Sequence, residues 1–249
     1  MKYKIADIFM FLDDISAFEL QEQWDNSGLL VGNKKDTFDT ICLTIDIDDT
    51  LLDSLPNNTL VISHHPMIFT PISRINFDDM ATKFLYKMIK KDIKLISMHT
   101  NFDKTHLNRY FCENILGFCG EMKNDYLFIS QVDTSFDKLL ETISQKIDKK
   151  YFNFVKTKEN IKDITIMCGS GTSFLNNITT DCFLTGDVKY HNAVEAKAKD
   201  ISLIDIGHFE SEKHFGSLIY KKLTNYLEHK EIKVIIPKIQ NPQQEKKFE

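Results

Sequence analysis

TLVISHHP, residues 59–66, joins a run of apolar and β-branched residues to two adjacent histidines and a proline. A short run of this kind predicts a buried β-strand. Side chains within a strand alternate between its two faces, but at a strand's end, before a proline that favours extended backbone, both imidazoles can project beyond the sheet. His64 and His65 could there bind metal ions, or they could simply be surface or hydrogen-bonded histidines.

Strands and helices alternate on both sides of this stretch. Residues 24–32 are predicted to be a loop that leads into a short apolar strand. Besides 59–63, further strands are predicted over 40–47, 94–98, 126–132, 151–155, 163–168, 181–185, 201–206 and 233–237. Helices are predicted over 5–15, 78–92, 106–117, 135–147, 188–200 and 208–230, and residues 169–177 are predicted to be a turn that opens a helix. This order predicts α/β layers, with the sharpest seam at 118–125, and therefore two lobes, 1–120 and 121–249.

Composition narrows the classes of protein to consider. The 249 residues carry a net charge of −5, which disfavours a dedicated nucleic-acid binder although it is compatible with a local basic patch. The five cysteines form no C-x-x-C pair, and an odd count without a signal sequence fits a reducing compartment. The N-terminal segment mixes charges into its apolar run, and no stretch reaches the length of a membrane span. We therefore expect a cytoplasmic protein with no membrane partner.

Further polar clusters follow predicted strands, where α/β sheets bind ligands. His99 and Asp103 follow 94–98; Asp103 could bridge two cations, with His99 as ligand or supporting partner, or Asp103 could merely cap a helix. His208 and Glu212 follow 201–206 and lie four residues apart, so they would share one helix face. The alternative for this pair is an exposed polar first turn, with a glutamate near the positive end of the helix.

Two more stretches could contribute to a site. Asp187 and His191 are also four residues apart and could act as acid–base or substrate-binding groups, although Asp187 could be a plain N-cap. CGSGTSFL, residues 168–175, could expose backbone N–H groups to an anion, but it lacks the P-loop lysine. Close packing of a helix on a sheet explains this glycine-rich stretch equally well.

Taken together, the clusters favour a metal site more strongly than any one of them does alone. Three imidazoles and two carboxylates follow apolar strands: His64, His65, Asp103, His208 and Glu212. A donor set of this kind matches a site for two metal ions such as zinc, manganese or iron.

Six stretches in this order resemble the NIF-three-like family: WDNSGLLVG, ISHHPMIF, SMHTNFD, CGSGTSF, TGDVKYH and the terminal D-x-G-H-x-x-x-E. The resemblance implies a two-lobed α/β fold with mixed sheets flanked by helices and a dinuclear metal site in the inter-lobe cleft. It also implies a toroidal homohexamer. The family's metal-binding positions fall on the same five residues, so the C-terminal part of the second lobe would return GHFESE to the shared site. One departure is DKTHLNRYF after Asp103, where the family usually has glycines.

Bacterial members of this family bear the name GTP cyclohydrolase I type 2 homologue, which implies hydrolytic opening of the guanine imidazole ring of GTP. His99, Asp187 or His191 would then move protons, and Trp24 or Phe102 could stack on the base or belong to the core. Two alternatives stay open: a metal-dependent phosphoesterase or nucleotide hydrolase, and a non-catalytic metal-binding scaffold or regulator that acts through protein or nucleic-acid partners.

Overall fold

The strands of the protein form two mixed sheets in a computed structural model that describes residues 3–227 and 232–243. The strands are β1 (Gly28–Val31), β2 (Thr40–Thr44), β3 (Thr59–Ser63), β4 (Lys94–Ser97), β5 (Gly120–Met122), β6 (Phe128–Ser135), β7 (Phe154–Val155), β8 (Asn160–Ile166), β9 (Cys182–Thr185), β10 (Ser202–Asp205) and β11 (Lys233–Ile235). The α-helices are α1 (Ile5–Ile15), α2 (Asp49–Ser54), α3 (Met80–Lys90), α4 (Thr100–Phe102), α5 (Asn108–Tyr110), α6 (Phe136–Ile147), α7 (Tyr190–Ala198), α8 (His208–Glu212) and α9 (Phe215–Tyr226). The predicted α/β fold with mixed sheets flanked by helices is confirmed.

The chain packs as two compact units. Unit 1 contains Met1–Phe102 and Phe215–Ile239, and unit 2 contains Asp103–His214 and Gln240–Glu249. The sequence-based division into 1–120 and 121–249 differs from this grouping in two respects, since it places the first change of unit later and leaves Phe215–Ile239 in the second lobe. The reason lies in pairing: β11 adds to the unit 1 sheet as a parallel neighbour of β2, and α9 packs against the same strand.

Unit 1 is built on a sheet with the strand order β1-β4-β3-β2-β11. β1 runs antiparallel to β4, whereas β4, β3, β2 and β11 are mutually parallel. Every residue of β2, β3 and β4 is buried, which explains why these strands are continuous apolar runs in the sequence. Helices α2 and α3 cover one face with Leu52, Phe84 and Met88.

Unit 2 is built on a sheet with the order β5-β6-β8-β9-β10-β7. The central strands β8, β9 and β10 are parallel, and the strands outside them pair antiparallel. Helix α6 begins at Ser135, whose side chain accepts a hydrogen bond from the backbone N–H of Lys138, and it packs Phe136 and Ile143 onto the sheet. This is the predicted helix 135–147, and its first predicted residue, Ser135, is the N-cap.

The prediction of one helix over 208–230 is wrong in its middle. Helix α8 ends at Glu212 and α9 begins at Phe215, and residues 228–230 of the predicted helix lie outside the described residues. Helix α8 belongs to unit 2 and α9 belongs to unit 1, so the change of unit falls in the middle of the predicted helix.

Other differences are short elements. The predicted helix 106–117 begins earlier, because helical turns run over residues 100–116, with π-helical hydrogen bonding over Asp103–Leu107 and Phe111–Leu116, and end at Gly117 with a φ of 78°. Residues 169–177 contain a 3₁₀ helix, Thr172–Asn177, rather than the start of an α-helix. Within the described residues, no helix has the length and apolar character needed to cross a membrane.

Candidate metal centre

In unit 1 three imidazoles gather at one edge of the sheet. His64 and His65 directly follow β3, and His99 follows β4 after a single residue. Since β3 and β4 are parallel neighbours, their carboxyl ends meet at the same edge, which is where open α/β sheets bind ligands. One ring nitrogen from each of the three histidines lies within 4.8 Å of the others, a spacing compatible with binding a metal ion.

Each of these imidazoles directs its Nδ1 atom at an oxygen that can accept a hydrogen bond. Nδ1 of His64 lies 2.8 Å from the carbonyl oxygen of Met98, Nδ1 of His65 lies 2.6 Å from Asp46, and Nδ1 of His99 lies 2.8 Å from Asp25. A carbonyl or carboxylate oxygen accepts, so Nδ1 carries the proton and the lone pair of the neutral ring is on Nε2. Metal-ligating histidines are oriented in this way, so the residues fit a metal.

Asp25 anchors the segment beside His99. Its carboxylate accepts hydrogen bonds from His99, from the backbone N–H and hydroxyl of Thr100, and from the hydroxyl of Ser27. Burial alone would raise the pKa of the Asp25 carboxyl, but the hydrogen bond and charge of His99, together with hydrogen bonds from Thr100 and the backbone of Asn26, outweigh burial and hold that pKa well below its usual range. The carboxylate is therefore ionised and fixes the imidazole of His99.

In unit 2, polar side chains also follow the carboxyl ends of parallel strands. Asp187 follows β9, and His208 and Glu212 follow β10 on α8. Nδ1 of His208 lies 2.7 Å from Oδ2 of Asp187, and its Nε2 lies 2.9 Å from Oε2 of Glu212. The predicted i, i+4 pair on one face is confirmed in geometry, and it consists of a nitrogen and an oxygen donor that could ligate one ion.

Asp103 belongs to this second set of donors. One of its carboxylate oxygens lies within 4.8 Å of a carboxylate oxygen of Glu212. Both carboxylates also influence the thiol of Cys168, whose pKa is raised well above its usual range chiefly by burial, with smaller contributions from Cys112, Glu212 and Asp103. Unit 2 therefore places Asp103, His208 and Glu212 in one neighbourhood.

Glycines make room for the donors of unit 2. Gly169 has a φ of +62°, and a Cβ there would lie 2.2 Å from Oε1 of Glu212. A Cβ on Gly186 would lie 2.5 Å from the backbone nitrogen of His208. Gly169, in the glycine-rich stretch after β8, therefore allows the close approach of the Glu212 carboxylate. The anion-binding interpretation of this stretch stays a prediction.

The structure does not group His191 with Asp187. Asp187 has a φ of 55° and precedes α7, so the four-residue spacing to His191 is not a helical spacing. His191 is exposed, and its ring contacts the ring of Tyr190. Among the stacking candidates, Phe102 is fully buried and belongs to the core, whereas Trp24 is 60% exposed. The catalytic roles of Asp187, His191 and His99 stay predictions.

Two carboxylates that support the histidines are not among the residues predicted from the sequence. Asp46 hydrogen-bonds His65, and Asp25 hydrogen-bonds His99. Both could have been suspected, because Asp46 follows the run that forms β2 and Asp25 lies in WDNSGLLVG. A lone carboxylate after a strand is nevertheless common, so sequence alone does not distinguish these two from others.

The model of Duf34/NIF3 (NGG1p interacting factor 3) matches residues 3–242. The chain belongs to this family. The resemblance stated from six sequence stretches is therefore confirmed, and it extends over nearly all of this Duf34/NIF3 chain.

Named relatives of this Duf34/NIF3 chain are similar along their whole length. The "GTP cyclohydrolase 1 type 2 homolog" of Campylobacter jejuni is 41% identical over 240 residues, which cover 96% of this chain and 98% of the relative. The "GTP cyclohydrolase 1 type 2" of Helicobacter pylori (strain ATCC 700392 / 26695) is 37% identical over 244 residues, with coverage of 96% and 98%. A crystal structure of a Staphylococcus aureus protein matches with a TM-score of 0.81 at 24% identity, covers 98% and 100% of the two chains, and supports the fold alone.

Proposed function

We propose that the protein binds two divalent metal ions through His64, His65, Asp103, His208 and Glu212. The observation that carries this proposal is the common orientation of His64 and His65, each of which holds its proton on Nδ1 against an oxygen acceptor and directs the lone pair to Nε2. His208 adds a ring whose Nδ1 faces Asp187 and whose Nε2 faces the carboxylate of Glu212. Nitrogen and carboxylate donors without thiolates suit zinc, manganese or iron. Family membership supports the proposal, because the resemblance to this family implies the same five positions.

The proposed activity is metal-dependent hydrolysis of a nucleotide, in keeping with the GTP cyclohydrolase name of the relatives. Divalent ions would supply a polarising charge and an activated water at neutral pH. In this scheme His99 accepts a proton on Nε2, because Asp25 keeps the other ring nitrogen protonated and the ring fixed. Asp187 performs the corresponding orienting task for His208.

The first experiment measures metal and turnover on the same purified protein. We expect up to two ions per chain by elemental analysis, and release of formate from GTP when the protein is loaded with manganese or zinc. Metal binding with no turnover of GTP but clear turnover of another nucleotide or a phosphoester would replace the cyclohydrolase activity by that alternative. Metal binding without any turnover would favour the scaffold or regulator, and absence of bound metal would contradict the proposal.

His99→Gln separates proton transfer from metal binding. If His99 accepts a proton, the variant keeps the metal content of the wild type while turnover falls by about 10² to 10⁴-fold, the usual contribution of general acid–base catalysis. Both quantities are measured on one preparation of each protein. Loss of metal from His99→Gln would instead make His99 a ligand together with His64 and His65, whose ring nitrogens lie within 4.8 Å of it.

Asp46→Asn tests whether orientation of His65 matters for binding. An amide can offer its N–H₂ to the ring and lacks the charge of the carboxylate, so it no longer fixes the proton on Nδ1. We expect metal affinity to fall about 10- to 100-fold with little change in unfolding free energy, because the Asp46 side chain is 46% exposed. Competition with a coloured chelator measures the affinity. An unchanged affinity would show that the Asp46–His65 hydrogen bond does not support a ligand.

The homohexamer, the cytoplasmic location and the inter-lobe placement of the metal site stay predictions from the sequence and its resemblance. So does a nucleotide as the small-molecule partner. The net charge of −5 continues to disfavour nucleic acid as a partner of the whole protein.

A further inference from the structure

Two large aromatic rings are exposed beside His99. The side chain of Trp24 is 60% exposed and that of Phe69 is 48% exposed. Their ring centroids are 6.0 Å apart, and the two rings meet at 55°. The ring of His99 approaches Trp24 at 6.1 Å and Phe69 at 6.3 Å, edge to face in both cases. These three side chains, all in unit 1, are called the aromatic notch below.

The backbone under the aromatic notch is held firmly. Asp25, which follows Trp24, is fixed by four hydrogen bonds from His99, Thr100 and Ser27. The side-chain amide of Asn26 donates to the carbonyl oxygen of Ile68 at 2.5 Å and so ties the segment of Trp24 to the segment of Phe69. These hydrogen bonds fix the backbone that carries the two rings beside His99. An exposed ring on a loop without such bonds would have no fixed orientation.

The chemistry of the aromatic notch favours one kind of ligand. Exposed aromatic faces stack on planar rings and do so with little dependence on which base is bound. The lone pair on Nε2 of His99 accepts a hydrogen bond, which a pure hydrocarbon cannot supply. A nitrogen heterocycle such as a purine combines both features, because its N–H groups lie in the plane of an aromatic ring.

We propose that Trp24 and Phe69 bind the planar heteroaromatic ring of the substrate, a purine nucleotide, next to His99. This inference rests on the proposed function, since it names the substrate class of the same site, and it assigns Trp24 and Phe69 as residues that bind the ring of the substrate by stacking. It also explains why Trp24 is left largely exposed while Phe102, the other stacking candidate, is buried.

Tryptophan fluorescence tests the inference directly, because Trp24 is the single tryptophan of the chain. The protein is titrated with guanosine, GTP and inorganic tripolyphosphate, with excitation at the red edge of tryptophan absorption where guanine does not absorb. We expect saturable quenching by guanosine and GTP and none by tripolyphosphate. Quenching that only rises linearly, as with free N-acetyltryptophanamide, would overturn the inference, and so would quenching by tripolyphosphate alone.

Matched variants locate the binding. Phe69→Ala is expected to weaken the affinity for guanosine at least about 5-fold, since half of the stacking surface is lost. Phe77→Ala is the control, because Phe77 is 50% exposed in the same unit and contacts Tyr86 instead. Equal effects of the two variants would contradict the assignment.

The outcome separates this inference from the proposed function. Bound metal without guanosine quenching would reject the aromatic notch and leave the metal centre standing. Guanosine quenching in a protein that binds no metal would reject the metal centre and support ring binding at the aromatic notch.

Discussion

His65→Ala is expected to lose at least one of the two bound ions, with an affinity at least about 100-fold below that of the wild type. Removal of a ligand exceeds the 10- to 100-fold cost that is typical of removing a residue that only supports one. His65 lies at the carboxyl end of β3, and its Nδ1 atom is held by Asp46 at 2.6 Å, so the ring that the substitution removes is one with a fixed orientation. Metal content after dialysis against buffered zinc measures the loss.

The control for this experiment is His106→Ala. His106 is a half-buried histidine whose Nδ1 atom lies 2.8 Å from the hydroxyl of Thr105, and it belongs to none of the donor groups described above. We expect this variant to keep the metal content of the wild type. Full retention of both ions by His65→Ala would remove His65 from the ligand set, and equal losses in both variants would point to a general loss of folding, which circular dichroism detects.

Much of the fold was predictable because its central strands are parallel and buried. Such strands are near-continuous apolar runs, and the runs at 40–47, 59–63 and 94–98 became β2, β3 and β4. Short elements were missed, since α2 has six residues and β5 has three, too few for a hydrophobic period to show. The break between α8 and α9 was missed for another reason: periodicity reveals an apolar face but does not reveal which unit buries it.

The donors of the site were predictable from one topological rule. Parallel strands bring their carboxyl ends to one edge, so polar residues that follow apolar runs collect there. The rule located His64, His65 and His99 in unit 1 and His208 with Glu212 in unit 2. It could not supply the partners of the rings, because the bonds of Asp25 to His99 and of Asp46 to His65 span 74 and 19 residues of sequence. It also could not decide between Trp24 and Phe102 as stacking candidates, because only the structure shows that Phe102 is buried and Trp24 is exposed.

Gly169→Ala is expected to weaken metal binding about 10- to 100-fold, although Gly169 is not itself a donor. A Cβ at this position would lie 2.2 Å from Oε1 of Glu212, so the carboxylate must rotate away. Glu212 is only 3% exposed, which leaves the carboxylate little room, and its present position places Oε2 2.9 Å from Nε2 of His208. The φ of +62° adds a backbone cost of about 1 kcal/mol to the free energy of folding.

Gly117→Ala isolates the metal effect from the backbone cost. Gly117 has a φ of +78°, and the nearest atom to a Cβ there is Nζ of Lys146 at 3.7 Å, an ordinary contact. Both variants should therefore lose about 1 kcal/mol in the free energy of unfolding measured in urea, whereas only Gly169→Ala should lose metal affinity. If both variants bind metal like the wild type, Glu212 is not a ligand. In that case the glycine after β8 serves packing alone, and the donors of unit 2 reduce to Asp103 and His208.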